Sequence, residues 1–153
     1  ALRRQSEEDG ASYGSSSSGE SGGSSSGSSR QYASPSSFSG SKGQQLANYA
    51  CQFIGNPYVP GGTSLTDGAD CSGFVWRVYK DFGYSVPRTS YSFRSYGSEV
   101  SYSEAQPGDV VCYAGHVALY IGNGQIVHAS TQRTGIKITN ATYKEILTIR
   151  RIV

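Results

Sequence analysis

Asp109-Val110-Val111-Cys112-Tyr113-Ala114-Gly115-His116-Val117-Ala118-Leu119-Tyr120-Ile121-Gly122-Asn123-Gly124-Gln125-Ile126-Val127-His128-Ala129-Ser130 reads as three short β runs. Branched and aromatic residues fill the runs, and Gly115 and Gly122-Asn123-Gly124 punctuate them. The pattern predicts strands over 109–113, 115–121 and 125–130, with two more over 135–139 and 146–152. Upstream the periodicity is helical. Leu46, Ala50, Phe53 and Ile54 form one stripe from Ser41 onward, and Gly55 is placed to close that helix in a left-handed cap. A second helix is expected from Cys71 to about Phe82, capped by Asp70, buried through Phe74, Val75, Val78 and Phe82, and ended by Gly83. A third, short helix is expected after Pro87, from Thr89 or Ser90 to Gly97. Helices first and strands later predict an α+β fold, with N-terminal helices on a mostly antiparallel sheet of about five strands.

The rest of the chain bounds what this fold can do. Between Ala11 and Arg30, 16 of 20 residues are Ser or Gly. Such a stretch cannot bury enough apolar surface to offset its ordering entropy, so residues 1–40 are expected to be a flexible linker and 41–153 the globular domain. A tether joins two things, so a module N-terminal to this chain is expected as well. The chain does not begin with Met, and no apolar run resembles a signal peptide or a membrane span. A formal net charge of +2, scattered along 153 residues, argues against nucleic-acid binding and membrane insertion. Of the three cysteines, Cys51 and Cys112 are expected to be buried and inert, although sequence leaves open whether they pair.

Cys71 and the only two histidines, His116 and His128, carry the chemistry. A cysteine in the first turn of a helix lies beside unpaired N–H groups at the positive end of the helix dipole, which favour the thiolate and can later donate to an oxyanion. His116 is then the base that takes the thiol proton, and His128 the group that orients it. Strand side chains alternate, so the two rings share a face only in one register. A three-residue loop at Gly122-Asn123-Gly124 pairs Ile121 with Gln125 and sets His128 opposite Ala118, diagonal to His116. That loop is expected, with Val117, Leu119 and Ile121 facing the core. A zinc site of Cys71, Cys112, His116 and His128 is the competing reading, disfavoured because it lacks the short paired spacings of structural sites.

At these residues the chain resembles the NlpC/P60 family of bacterial cell-wall cysteine peptidases. The resemblance runs from about Lys42 to Val153 and rests on an ordered set of motifs. These are Gly55-Asn56-Pro57-Tyr58-Val59-Pro60-Gly61-Gly62, Asp70-Cys71-Ser72-Gly73-Phe74, Pro87-Arg88-Thr89-Ser90, Gln106-Pro107-Gly108-Asp109-Val110-Val111, Gly115 to Gly122, and Ile126-Val127-His128-Ala129-Ser130. It implies a papain-like α+β fold, a Cys71-His116-His128 triad without metal or cofactor, and hydrolysis of the γ-D-glutamyl–diamino acid bond in peptidoglycan stem peptides. It also implies that Tyr58 lies beside the nucleophile and that Asp70 and Ser72 help hold L-Ala-γ-D-Glu. Arg88 is a further candidate, for a stem-peptide carboxylate. Pro60 stands where the family often carries Trp, removing an aromatic wall from the cleft. A secreted or cell-wall-associated location follows from such a substrate. The alternatives are a catalytically silent cell-wall binding module, or another thiol acyl-transfer enzyme (amidase or transpeptidase) on the same fold.

Overall fold

Residues 31–153 are described by a computed structural model of the chain. The Ser/Gly-rich stretch, and with it most of the expected linker, lies outside the described residues. Residues 31–40, also assigned to the linker, lie against the domain. The Tyr32 ring packs on Phe53 at 4.7 Å between centroids, and Phe38 meets Tyr49 edge-on at 6.1 Å. The Gln52 amide holds the Ala33 backbone at both N–H and C=O, at 2.9 and 2.8 Å. Two aromatics within a Ser-rich stretch are enough to bring its end onto the core.

Helix α1 (Lys42–Cys51) starts where Ser41 accepts a hydrogen bond from the Gln44 N–H at 3.2 Å. It buries Leu46, Ala47 and Ala50 and ends at Cys51 with Gln52 as a right-handed cap, so Gly55 does not cap it as expected but takes its left-handed φ of 98° in the turns that follow. A two-stranded hairpin follows, β1 (Thr63–Ser64) and β2 (Gly68–Ala69), in a segment whose Pro and Gly content reads as irregular loop. Helix α2 (Cys71–Asp81) buries Phe74, Val75, Val78 and Tyr79 completely, and Gly83 at φ 91° ends its last turn. Truncating Phe74 to Ala there would cost about 3–5 kcal/mol.

The third helix is shorter than its sequence suggests. Helix α3 (Ser90–Phe93) stops after four residues, four short of the expected end at Gly97, and strand β3 (Ser98–Val100) begins directly after that glycine. The main sheet then comprises β3, β4 (Val110–Tyr113), β5 (His116–Gly122), β6 (Gln125–Thr131), β7 (Gly135–Asn140) and β8 (Thr148–Arg151). Its order is β3-β8-β4-β5-β6-β7 and every pair is antiparallel. The architecture is the α+β one expected, with six strands in the main sheet instead of five. Strand β3 is too short to show a period-2 signal and forms by pairing with β8.

Strands β4 to β6 alternate between two cores. Val110, Cys112, Val117, Leu119, Val127, Ala129 and Ile136 face α1 and α2, while Val111, Tyr113, Ala118, Tyr120 and Ile126 pack on the opposite face with Ala141 and Ile149. Burial on both faces explains why β4 to β6 read as nearly continuous apolar runs. It also means that a polar side chain on either face is held in a dry environment.

Candidate active site

The hairpin between β5 and β6 decides whether the histidines meet. Leu119 pairs with Val127 and Tyr120 with Ile126, which sets His128 across from Ala118 as expected. The device differs from the expected loop. Gly122 pairs with Gln125, so the turn has only two residues, Asn123 and Gly124, both with positive φ (55° and 75°) as a type I′ turn requires. A two-residue turn alone would put His128 on the wrong face. A bulge between Tyr120 and Gly122 absorbs one residue and restores the register.

The result is direct contact. His116 Nε2 lies 2.7 Å from His128 Nδ1, the rings cross at 77°, and both side chains are buried. His128 Nε2 lies 2.9 Å from Thr139 Oγ1. Two tautomer assignments satisfy the row, because the Thr139 hydroxyl can accept or donate; in the one that gives His116 a free base, His116 donates from Nε2 to His128 Nδ1, and His128 donates from Nε2 to Thr139. His116 Nδ1 is then unprotonated and open to accept a proton. Burial lowers the pKa of His116 to about 3, with the Lys144 charge adding to the effect. His128 is pushed well below its ordinary range by burial first, then by the charges of His116 and Lys137.

Cys71 opens α2 at the same end of the sheet. Asp70 caps the helix, its Oδ1 accepting from the Gly73 N–H at 2.7 Å. Burial raises the thiol pKa and the Asp70 charge adds to it, whereas the N–H groups of Val117, Ser72 and Cys71 itself hydrogen-bond toward the sulfur and pull it down. Val117 directly follows His116, so this N–H ties the sulfur to the start of β5. Both members of the pair are therefore biased to the neutral state at rest, and backbone donors are already aimed where negative charge would develop.

Asp70, Ser72 and Arg88 form one cluster. The Arg88 guanidinium reaches Ser72 Oγ at 2.8 Å, Asp70 Oδ1 at 3.2 Å and Oδ2 at 3.4 Å. Asp70 Oδ2 also accepts from the Gly61 N–H at 2.9 Å, fixing the Gly61-Gly62 loop over the helix start. Arg88 is thus engaged by the domain's own carboxylate. Gly73 has a packing reason: a Cβ there would overlap the Gly62 carbonyl oxygen. Tyr58 bridges to Ala69, beside Asp70, and with Pro60, Ser130, Thr131 and Gln132 lines a cleft of about 160 Å³.

Cys112 faces the helices, on the opposite side of the sheet from the His116–His128 pair. Among the described residues, no three His, Cys, Asp or Glu side chains gather as a metal ion would need. Cys51 and Cys112 are both free thiols, raised by burial to about 11. Three residues around the histidines escape sequence reasoning. Thr139 and Lys137 sit on the His128 face of β7, and the Tyr143 ring packs 5.7 Å from His128 with its hydroxyl buried and unbonded among the described residues. Alternation along Gly135–Asn140 does put Lys137 and Thr139 on one face. Their meeting with His128 depends on a register shift between Ala129 and Thr131 that no local signal announces.

A family model described as the NlpC/P60 family matches residues 55–151. The murein DD-endopeptidase MepS/murein LD-carboxypeptidase of Escherichia coli is 45% identical over 85 residues, covering 52% of this chain and 45% of that protein. A gamma-D-glutamyl-L-lysine dipeptidyl-peptidase of Bacillus cereus is 33% identical over 115 residues, covering 70% of this chain and 34% of that protein. Among solved structures, the NlpC/p60 domain of the peptidoglycan hydrolase SagA superposes with a TM-score of 0.66 at 30% identity, covering 72% of this chain and 98% of that one. The chain spans about half the length, or less, of the curated relatives it matches.

Proposed function

The chain belongs to the NlpC/P60 family, and from that membership we propose that it is a peptidoglycan hydrolase cleaving stem peptides at the γ-D-glutamyl–diamino acid bond through Cys71, His116 and His128. The observation that carries this reading is the 2.7 Å contact between His116 Nε2 and His128 Nδ1, which, with His116 donating, leaves His116 Nδ1 as a free base. Relatives named as peptidases of murein and of γ-D-glutamyl-L-lysine support the substrate class.

The steps follow from the geometry. His116 Nδ1 takes the proton of Cys71 as the sulfur attacks the γ-carbonyl carbon of D-glutamate. The carbonyl oxygen becomes an oxyanion, and the N–H groups at the start of α2 and β5 donate to it. Collapse breaks the C–N bond, with His116 returning the proton to the departing amine, and leaves a thioester on Cys71. Water, deprotonated by His116, then hydrolyses the thioester. Holding both groups neutral at rest confines charge separation to the step in which thiolate and imidazolium stabilise each other. The reaction so written uses protein groups and water alone.

We assign the L-Ala-γ-D-Glu part of the stem to the cleft that Tyr58 lines with Pro60 and Gln132, with Ser72 as a further contact. Asp70 and Arg88 act here by fixing Ser72 and the Gly61-Gly62 loop. Such a substrate places the protein at the cell wall or outside the cell, and no helix among the described residues is long and apolar enough to cross a membrane. We also propose that the Ser/Gly-rich part of residues 1–40 tethers the domain to a further module, residues 31–40 being packed against the domain itself.

The likeness to a DD-endopeptidase favours a second reading, cleavage of the D,D cross-link. Mass spectrometry of products from lysine-type and diaminopimelate-type stem tetrapeptides and from cross-linked dimers separates the two. Release of L-Ala-γ-D-Glu from the tetrapeptides supports the first. Dimers resolved to intact tetrapeptides, with free tetrapeptides untouched, would overturn it in favour of the second.

A further inference from the structure

Strand β7 places a lysine where an aspartate or a glutamate would strengthen a histidine base. Lys137 is the cross-strand partner of His128 and is 0% exposed, as is His128 itself. The two side chains project from the same face of the sheet, with Thr139 two residues along on that face bonded to His128 Nε2. The other groups facing the pair are Tyr143, against His128, and Tyr113, against His116. Among the described residues, the charges that act on the rings are those of His116 and Lys137 on His128 and of Lys144 on His116.

We propose that Lys137 is a positioning residue for the catalytic proton: its buried ammonium, held across the β6–β7 pair from His128, keeps His128 neutral so that the proton taken from Cys71 stays on His116. The inference deepens the catalytic reading and rests on it. Once His116 Nδ1 has accepted the thiol proton, His116 carries two N–H bonds, and the Nε2 proton faces His128 Nδ1 across 2.7 Å. Transfer of that proton would leave His116 neutral, with its remaining proton on Nδ1, and would make His128 an imidazolium, with N–H on both Nδ1 and Nε2. A weaker acid would then face the leaving amine. A cation next to His128 opposes that transfer, because two positive charges would share a dry, low-dielectric site. Thr139 acts in the same direction in the tautomer in which its Oγ1 accepts from Nε2, which leaves Nδ1 as the acceptor. A carboxylate third residue would draw positive charge toward itself; this triad is built to refuse it.

The test is a ¹⁵N imidazole NMR titration of the wild type, Lys137→Met and Lys137→Arg, paired with the pH profile of kcat/KM on a stem tetrapeptide. The titration reads the histidines whether or not the tetrapeptide is the substrate, so failure of the catalytic reading and failure of this one are distinguishable. Lys137→Met is expected to raise the apparent pKa of the histidine pair by about one unit and to move the acid limb of kcat/KM upward by the same amount, whereas Lys137→Arg keeps both near wild type. If Lys137→Met does not fold, Lys137→Gln carries the same comparison with a neutral polar side chain. A neutral variant whose histidines titrate as in the wild type would overturn the proposal, as would His128 gaining its second proton before His116 in the wild type.

Discussion

Acidification should destabilise this domain far more steeply than its surface charge alone would dictate, because two imidazoles are buried neutral. His116 carries a pKa of about 3 in the folded chain, against about 6.5 in an unfolded one. Below pH 6.5 the unfolded state therefore binds a proton that the folded state does not, so this group's contribution is fully present above pH 6.5 and is lost as pH falls toward 3. Between about pH 7 and 5 the loss from His116 alone is on the order of 2 kcal/mol, and His128, depressed in the same direction, at most doubles it. Urea unfolding at the two pH values, followed by the fluorescence of the single Trp76, measures the difference. The control is the double variant His116→Gln/His128→Gln, which should lose most of the pH dependence while retaining polar side chains at both positions. Equal unfolding free energies at pH 7 and 5, or a control as pH-sensitive as the wild type, would refute the claim that the pair is held neutral.

Three further substitutions probe the same architecture. Thr139→Val removes the hydroxyl partner of His128 Nε2 and should lower stability by about 1–3 kcal/mol and kcat/KM by about tenfold or more, with Thr139→Ser near wild type; an active, stable Val variant would count against the row. His128→Ala should reduce kcat on a stem tetrapeptide by about 10²-fold or more with KM little changed, and near-full activity would remove the orienting role while leaving Cys71 and His116 in place. Gly73→Ala drives a methyl into the Gly62 carbonyl oxygen and should lower the melting temperature and disturb substrate binding together, so a fully stable, fully active variant would show that the loop over the helix start yields easily.

Much of this arrangement is legible in the chain, and the illegible parts have physical reasons. Asp70 as cap, Cys71 in the first helical turn and the burial of Phe74, Val75 and Val78 follow from local chemistry and a 3.6-residue period. The facing of His116 and His128 follows from counting, because a period of two leaves only two outcomes. The device was harder to read: a two-residue turn plus a bulge gives the same parity as a three-residue loop, and bulges carry no compositional mark of their own. Strands β1 to β3 are two or three residues long and exist through their partners. Arg88 reads as substrate-facing because its partners, Asp70 and Ser72, lie 18 and 16 residues away and meet it only in the fold. Lys137 was hidden for the same reason, since a lysine on a short strand ordinarily points to water and here is enclosed beside His128.

The most direct test of the thiol mechanism compares the wild type with Cys71→Ala on stem tetrapeptides, with products identified by mass spectrometry. A cut after γ-D-glutamate made by the wild type and lost in Cys71→Ala is the predicted result; equal cleavage by both proteins, or no cleavage of either stem type by the wild type, would contradict it.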